Sequence, residues 1–188
     1  MEAFLVSTGI VAIAEIGDKT QLLALVLAAR FRRPWPIAAG ILLATLANHA
    51  AAGWLGARAG DLLQGPALRW ALGLSFLAVS VWALFPDRLV EREKPGTRRA
   101  GAFLTTLVCF FLVEIGDKTQ VATMALAATY DALTAVVLGT SLGMMIANLP
   151  AMLTGGWAAE RLPLKVIRLI AAVSFAALGV LALLGVLT

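Results

Sequence analysis

The sequence predicts an all-α integral membrane protein with six transmembrane helices, built as two three-helix repeats of inverted topology. Composition is the first indication, because 61% of the 188 residues are apolar and only 14% are charged. Soluble domains have about half apolar and about a quarter charged residues. The other two indications are six long apolar runs and a charged seven-residue motif that occurs once in each half of the chain.

A transmembrane helix needs about 20 mostly apolar residues to cross a hydrocarbon core of about 30 Å. Runs of this length are predicted at 3–29, 36–57, 67–85, 101–128, 132–157 and 164–187. The first run is expected to remain as a mature helix, because Met1-Glu2 offers no basic region and the run exceeds the apolar part of a signal peptide.

The basic residues outside the motif predict the orientation of the helices. Eleven of them would share one side of the membrane, namely Arg30, Arg32, Arg33, Arg88, Arg92, Lys94, Arg98, Arg99, Arg161, Lys165 and Arg168. Only Arg58 and Arg69 would lie on the other side. Because basic loops stay in the cytoplasm, both termini are predicted outside and the helix 3–4 loop inside. The charge of +4 is therefore a topology signal, and no nucleic-acid partner is expected.

The chain is predicted to form one transmembrane domain, 1–188, with an internal duplication. Repeat 1 covers 1–85, a cytoplasmic linker covers 86–100, and repeat 2 covers 101–188. Each repeat would contain three helices, and an odd number makes the second repeat enter the membrane from the opposite face. Many secondary transporters use this arrangement to build one site at the bilayer midplane.

The duplicated motif is Glu-Ile-Gly-Asp-Lys-Thr-Gln, at 15–21 and 114–120. Ionisable groups within transmembrane segments are costly, and they usually mark functional sites. In a regular helix the glutamate, aspartate and glutamine of each copy would share one face. Gly17 and Gly116 would allow either a close crossing of the two motif helices or a bend in the backbone.

The side chains expected around this site offer oxygen ligands. They are the carboxylates of Glu15, Asp18, Glu114 and Asp117, the amides of Gln21 and Gln120, the hydroxyls of Thr20 and Thr119, and the amides of Asn48 and Asn148 on neighbouring helices. Magnesium, calcium and manganese favour such ligands, whereas zinc and copper favour histidine and cysteine. The two asparagines, matched at an offset of 100 residues, are equally compatible with interhelical hydrogen bonding.

Lys19 and Lys118 leave two of the four carboxylate charges unbalanced, which one divalent cation or two protons would neutralise. Exchange of a cation for protons is therefore the working hypothesis. Three arrangements of the lysines remain open. Each lysine could pair with the glutamate of its own motif, pair with carboxylates when no cation is bound, or extend toward water.

Other residues give weaker signals. His49 is compatible with a hydrogen-bonded packing role or with proton relay, and Cys109 is expected to pack. A GxxxG pattern at Gly139 and Gly143 predicts close helix packing. Pro150 is expected to kink its helix and free carbonyl groups.

At Glu15–Thr20 and Glu114–Thr119 the sequence resembles the Gdt family of membrane cation transporters, which includes Golgi manganese/calcium transporters and bacterial manganese exporters. The family hallmark is a doubled Glu-x-Gly-Asp-Lys/Arg-Ser/Thr motif, and both copies fit it fully. The resemblance implies transport of manganese or calcium against protons, with Glu15, Asp18, Glu114 and Asp117 as the central acids. It also implies manganese export across the cytoplasmic membrane.

Several alternatives remain after this comparison. A calcium/proton antiporter would use the same site, whereas a channel would release an ion too slowly from four carboxylates. An intramembrane metalloenzyme lacks an evident nucleophile or histidine cluster, and a structural subunit would not require the charged motifs. No enzymatic activity or bound cofactor is expected, and the oligomeric state is left open.

Overall fold

A computed structural model describes residues 1–86, 101–154 and 163–187. Within these ranges the chain is helical and contains no β-strand. The helices are α1 (Glu2–Glu15), α2 (Lys19–Phe31), α3 (Pro34–Leu62), α4 (Pro66–Ala83), α5 (Ala102–Glu114), α6 (Lys118–Thr129), α7 (Leu133–Thr154) and α8 (Leu164–Leu183). The predicted linker, apart from Pro86, lies outside the described residues, as do Arg161 and residues 155–157 of the fifth predicted run.

Four of the described helices, α3, α4, α7 and α8, are long and apolar enough to cross a membrane. The runs at 3–29 and 101–128, which carry the motif, were predicted as continuous helices, and this prediction is wrong. Each is interrupted within the motif, so that α1 ends at Glu15 and α2 begins at Lys19, while α5 ends at Glu114 and α6 begins at Lys118.

Glycine causes both interruptions. Gly17 has a φ of +80° and Gly116 has a φ of +76°, a region that residues with a Cβ rarely adopt. The isoleucine before each glycine is extended, and the aspartate after it occupies the N-cap of the next helix. Of the two roles open for these glycines, the structure shows the bend.

Small residues bring the long helices close to their neighbours. A Cβ on Gly139 would lie 2.6 Å from the carbonyl oxygen of Phe4, and one on Gly143 would lie 2.6 Å from that of Thr8. The GxxxG pattern therefore packs α7 directly on the backbone of α1, as this pattern commonly does in membranes. On α3, Gly56 meets the backbone of Met124 in α6 in the same way.

The contacts in one half recur in the other with the halves exchanged. Gly40 of α3 faces Phe103 and Thr106 of α5, whereas Gly139 of α7 faces Phe4 and Ser7 of α1. Each residue of the first set is related to one of the second by 99 positions. The same offset relates the starts of α3 and α7.

The predicted match between Asn48 and Asn148 is wrong, because it requires an offset of 100 positions and the contacts show an offset of 99. Since α3 and α7 are uninterrupted helices, the register set at Gly40 and Gly139 continues along both. Asn148 is therefore equivalent to His49, and Asn48 is equivalent to Ala147.

We expect Gly56→Ala to destabilise the protein by about 1–3 kcal/mol, because the added methyl group would overlap the backbone of Met124 and overpacking carries such a cost. The thermal unfolding midpoint of the purified protein in detergent measures the effect. Gly9→Ala is the matched control, since a Cβ there meets no atom within 4 Å. Equal midpoints for the two variants would contradict close packing of α3 on α6.

Candidate metal centre

The two helix breaks bring the four motif carboxylates into the protein interior. Glu15 and Glu114 are the last residues of α1 and α5, and Asp18 and Asp117 are the N-caps of α2 and α6. None of the four is more than 1% exposed. The expected arrangement on one face of a regular helix is wrong, because each glutamate and its aspartate lie on opposite sides of a break.

Three of these carboxylates converge across the two halves of the chain. Glu15, Glu114 and Asp117 each offer one oxygen, and the three oxygens lie within 4.8 Å of one another. Ligand oxygens lie about 2.0–2.6 Å from Mg²⁺ or Ca²⁺, so opposite ligands of a single ion are about 4–5 Å apart. The three oxygens are therefore spaced closely enough to bind one hard cation.

The lysines form ion pairs between the halves. Lys118 pairs with Asp18, and Lys19 Nζ lies 3.3 Å from Asp117 Oδ1. Of the three arrangements open for the lysines, the structure thus shows pairing with carboxylates, and the partner is the aspartate of the other motif. These two pairs join α2 to α6 at the level of the breaks.

The threonines orient the glutamates. Thr20 Oγ1 donates a hydrogen bond of 2.5 Å to Glu15 Oε2. Thr119 Oγ1 lies 3.4 Å from Glu114 Oε2 and 3.2 Å from Asp117 Oδ2. The other glutamate oxygens, Oε1 of Glu15 and of Glu114, are buried without a hydrogen-bond partner among the described residues. Buried polar atoms are normally paired, so these two oxygens are available to a ligand.

The motif glutamines hold the breaks in shape. Gly17 N donates to Gln21 Oε1 at 3.0 Å, and Gly116 N donates to Gln120 Oε1 at 2.8 Å. Gln21 Nε2 also donates to Ala147 O at 2.9 Å. Pro150 has no N–H group, so the carbonyl four residues before it lacks its usual helical donor. Ala147 follows the residue with that carbonyl. The glutamine oxygens thus already accept hydrogen bonds from the loops that carry the carboxylates.

The two asparagines have different surroundings. Asn48 Nδ2 donates to Phe111 O of α5 at 3.0 Å, which fits the predicted interhelical role. Asn148 Nδ2 instead donates within its own helix to Met144 O, also at 3.0 Å. Asn148 Oδ1 is buried and has no hydrogen-bond partner in the part of the chain that the structure describes.

Sequence reasoning missed the pairing of each lysine with the opposite aspartate and the hydrogen bonds of the glutamines to the loops. A local signal for the break was present, because glycine followed by aspartate combines a helix stop with an N-cap. No local signal could show which aspartate each lysine meets, since the partners are about 100 residues apart.

Comparison with known proteins gives a consistent result. The family model for "Divalent cation/proton antiporter GDT1" matches residues 3–91 and 102–188. A Vibrio cholerae protein named "Putative manganese exporter" is 51% identical over 173 residues, which are 92% of this chain and 86% of that protein. A "GDT1-like protein" from Synechocystis is 25% identical over 201 residues, covering 93% of each chain. No solved structure matches.

A double-mutant cycle on Lys118 and Asp18 should reveal the strength of their pairing. Lys118→Gln removes the cation beside a buried carboxylate, and breaking such a pair costs about 3–5 kcal/mol. We expect Asp18→Asn to restore part of that loss in the double variant, with a coupling of about 0.5–3 kcal/mol. Unfolding midpoints in detergent provide the measurement.

The pair between Lys19 and Asp117 is the internal comparison for this cycle. The Lys19 side chain is 15% exposed, whereas that of Lys118 is 5% exposed. The coupling energy between Lys19 and Asp117 is therefore expected to be smaller than that between Lys118 and Asp18. Purely additive effects at Lys118 and Asp18 would show that their ion pair contributes nothing to stability.

Proposed function

Because this chain belongs to the divalent cation/proton antiporter GDT1 family, we propose that it exports Mn²⁺ from the cytoplasm in exchange for protons. Membership confirms the resemblance found in the sequence, and it makes the chain a multi-pass membrane transporter of a divalent cation rather than an enzyme. The choice of Mn²⁺ and the outward direction follow the name of the Vibrio cholerae relative, "Putative manganese exporter".

The observation that carries this proposal is the convergence of carboxylates from both motifs. Glu15, Glu114 and Asp117 present three buried oxygens within 4.8 Å of one another. A hard divalent ion would take these oxygens in place of part of its water shell. Gln21, Gln120, Thr20, Thr119, Asn48 and Asn148 would position these ligands or contribute oxygens when the ion moves.

Charge balance links the cation to protons. With both lysines charged, the four carboxylates retain two unbalanced negative charges. One Mn²⁺ neutralises them, and so do two protons. In this cycle Lys118 and Lys19 hold Asp18 and Asp117 while no metal is bound, and they release these aspartates when the cation arrives.

Alternating access would come from the two halves acting as inverted repeats, 1–85 and 101–188. The exchanged contacts at Gly40 and Gly139 support equivalent folding of the halves. Discontinuous helices that meet at the midplane are typical of such transporters. In the proposed orientation both termini lie outside the cytoplasmic membrane and the loop between α4 and α5 lies in the cytoplasm, as the basic residues predict.

A Ca²⁺/H⁺ antiporter is the second candidate, because every motif ligand is an oxygen and Ca²⁺ binds oxygen ligands. The two candidates share the site and the coupling, so a transport assay with both ions separates them.

The test is transport into liposomes that contain the purified protein. With a pH gradient imposed and a metal-sensitive dye inside, Mn²⁺ uptake should follow the gradient and stop when an ionophore dissipates it. Ca²⁺ is measured under the same conditions. If neither ion moved in response to the gradient, the antiporter proposal would be abandoned. Faster Ca²⁺ than Mn²⁺ flux would favour the second candidate.

Asp18→Asn and Asp117→Asn should each abolish coupled flux, because each variant removes one charge from the balance while keeping the size of the side chain. Uptake at equal protein density in liposomes measures the effect, and gel filtration confirms folding. Asp61→Asn, at the exposed end of α3, is the control and should transport normally. Wild-type flux in either motif variant would contradict a site shared by both halves.

A further inference from the structure

His49 is a buried titratable residue that the proposed cycle does not use. It lies on α3 with no exposed surface, and its Nδ1 lies 2.9 Å from Thr140 Oγ1 on α7. The Thr140 hydroxyl also donates to Val137 O at 3.1 Å. A hydroxyl has one proton, so Thr140 accepts the hydrogen bond from His49 Nδ1–H.

This hydrogen-bond network assigns the tautomer of the imidazole. With the proton on Nδ1, Nε2 carries a lone pair. Nε2 is buried and has no hydrogen-bond partner in the described ranges. Histidines that bind metals typically donate their other ring N–H to a fixed acceptor, which sets the tautomer and the ring orientation. His49 has this arrangement through Thr140.

Three further buried hydroxyls, those of Thr45, Ser7 and Ser141, have no hydrogen-bond partner among the described residues. Thr45 lies one helical turn before His49 on the same face of α3, and its Oγ1 is unpartnered. Ser7 Oγ is also unpartnered, and Ser7 packs on Gly139, the residue next to Thr140. Leaving a buried polar group unsatisfied costs about 1–3 kcal/mol, so His49 Nε2 and Thr45 Oγ1, one helical turn apart on the same face of α3, indicate a site for a polar ligand.

The histidine occurs in one half only. At the offset of 99 residues the equivalents of His49, Thr45 and Thr140 are Asn148, Met144 and Ile41. Thr140 is the eighth of the 22 residues of α7, and Ser7 lies in the first half of α1, eight residues before Glu15. In the proposed orientation this region is therefore on the outer side of the carboxylates, where an exported ion leaves.

We propose that His49 Nε2 is a ligand on the exit path, which accepts the cation from the carboxylates and favours a transition-metal ion over Ca²⁺. This inference rests on the proposed function. Imidazole nitrogen binds first-row transition metals, whereas Ca²⁺ takes oxygen ligands. Mn²⁺ has the weakest affinity in that series, so a nitrogen ligand would discriminate against Ca²⁺ and still release Mn²⁺.

The chain offers a direct spectroscopic test, because His49 is its single histidine. Pulsed electron paramagnetic resonance of Mn²⁺ bound to the purified protein, with any affinity tag removed, should show coupling to an imidazole ¹⁴N nucleus. The coupling should disappear in His49→Gln. In liposomes the same variant should lose about tenfold in its preference for Mn²⁺ over competing Ca²⁺.

Thr140→Val provides a second variant if His49→Gln fails to fold. It keeps the shape of the side chain and removes the acceptor that orients the ring, a type of change that lowers metal affinity about 10–100-fold. Ser80→Ala is the matched control, since Ser80 donates to Ala172 O between α4 and α8, away from the site. It should keep both the coupling and the preference.

Absence of nitrogen coupling in the wild type, or its persistence in His49→Gln, would overturn the inference. An unchanged preference for Mn²⁺ in His49→Gln would also overturn it. Gradient-driven flux in the wild type with either of these results would leave the proposed antiporter intact. Loss of all wild-type flux would instead reject the proposed function itself.

Discussion

Four carboxylates in the interior of a membrane protein need nearby positive charge, and the rest of this structure follows from that requirement. An unpaired buried charge costs several kcal/mol. Two lysines meet part of the requirement, and each lies beside the aspartate of the other motif. Because the pairs cross between the halves, the charges cannot be satisfied unless both halves fold together. The remaining negative charge is what a divalent cation would neutralise.

The helix breaks give the two acids of each motif different positions. The glutamate ends one helix, whereas the aspartate caps the next and pairs with a lysine. An uninterrupted helix would hold both acids in a fixed relation. A glycine with positive φ between them allows the two helical segments to change their relative angle. Such a joint would suit the proposed site, whose ligands would have to reach an ion from either side of the membrane.

The two halves share a backbone pattern and differ in their side chains. Gly40 and Gly139 make equivalent contacts, yet His49 of one half corresponds to Asn148 of the other. Symmetric packing fixes the centre, while the residues around it differ between the halves, and in the proposed cycle they would make the two directions of travel chemically different. Net transport in one direction still requires a gradient, but selectivity can be built into a single side.

The sequence by itself determined the membrane class, the six apolar runs, the duplicated motif and the residues of the acidic centre, because composition, run length and repeated charge are local properties. The sequence did not decide whether the backbone bends at Gly17 and Gly116. It also matched Asn148 to the wrong residue, since a sequence pattern does not fix the register between helices. Only the tertiary structure decided that each lysine lies beside the opposite aspartate, that the glutamines hold the loops, and that His49 lies next to Thr140. The lysine and histidine contacts join residues 91 or more positions apart and depend on how the helices pack. The glutamine hydrogen bonds to the loops span only four positions, and they depend on the break at each glycine.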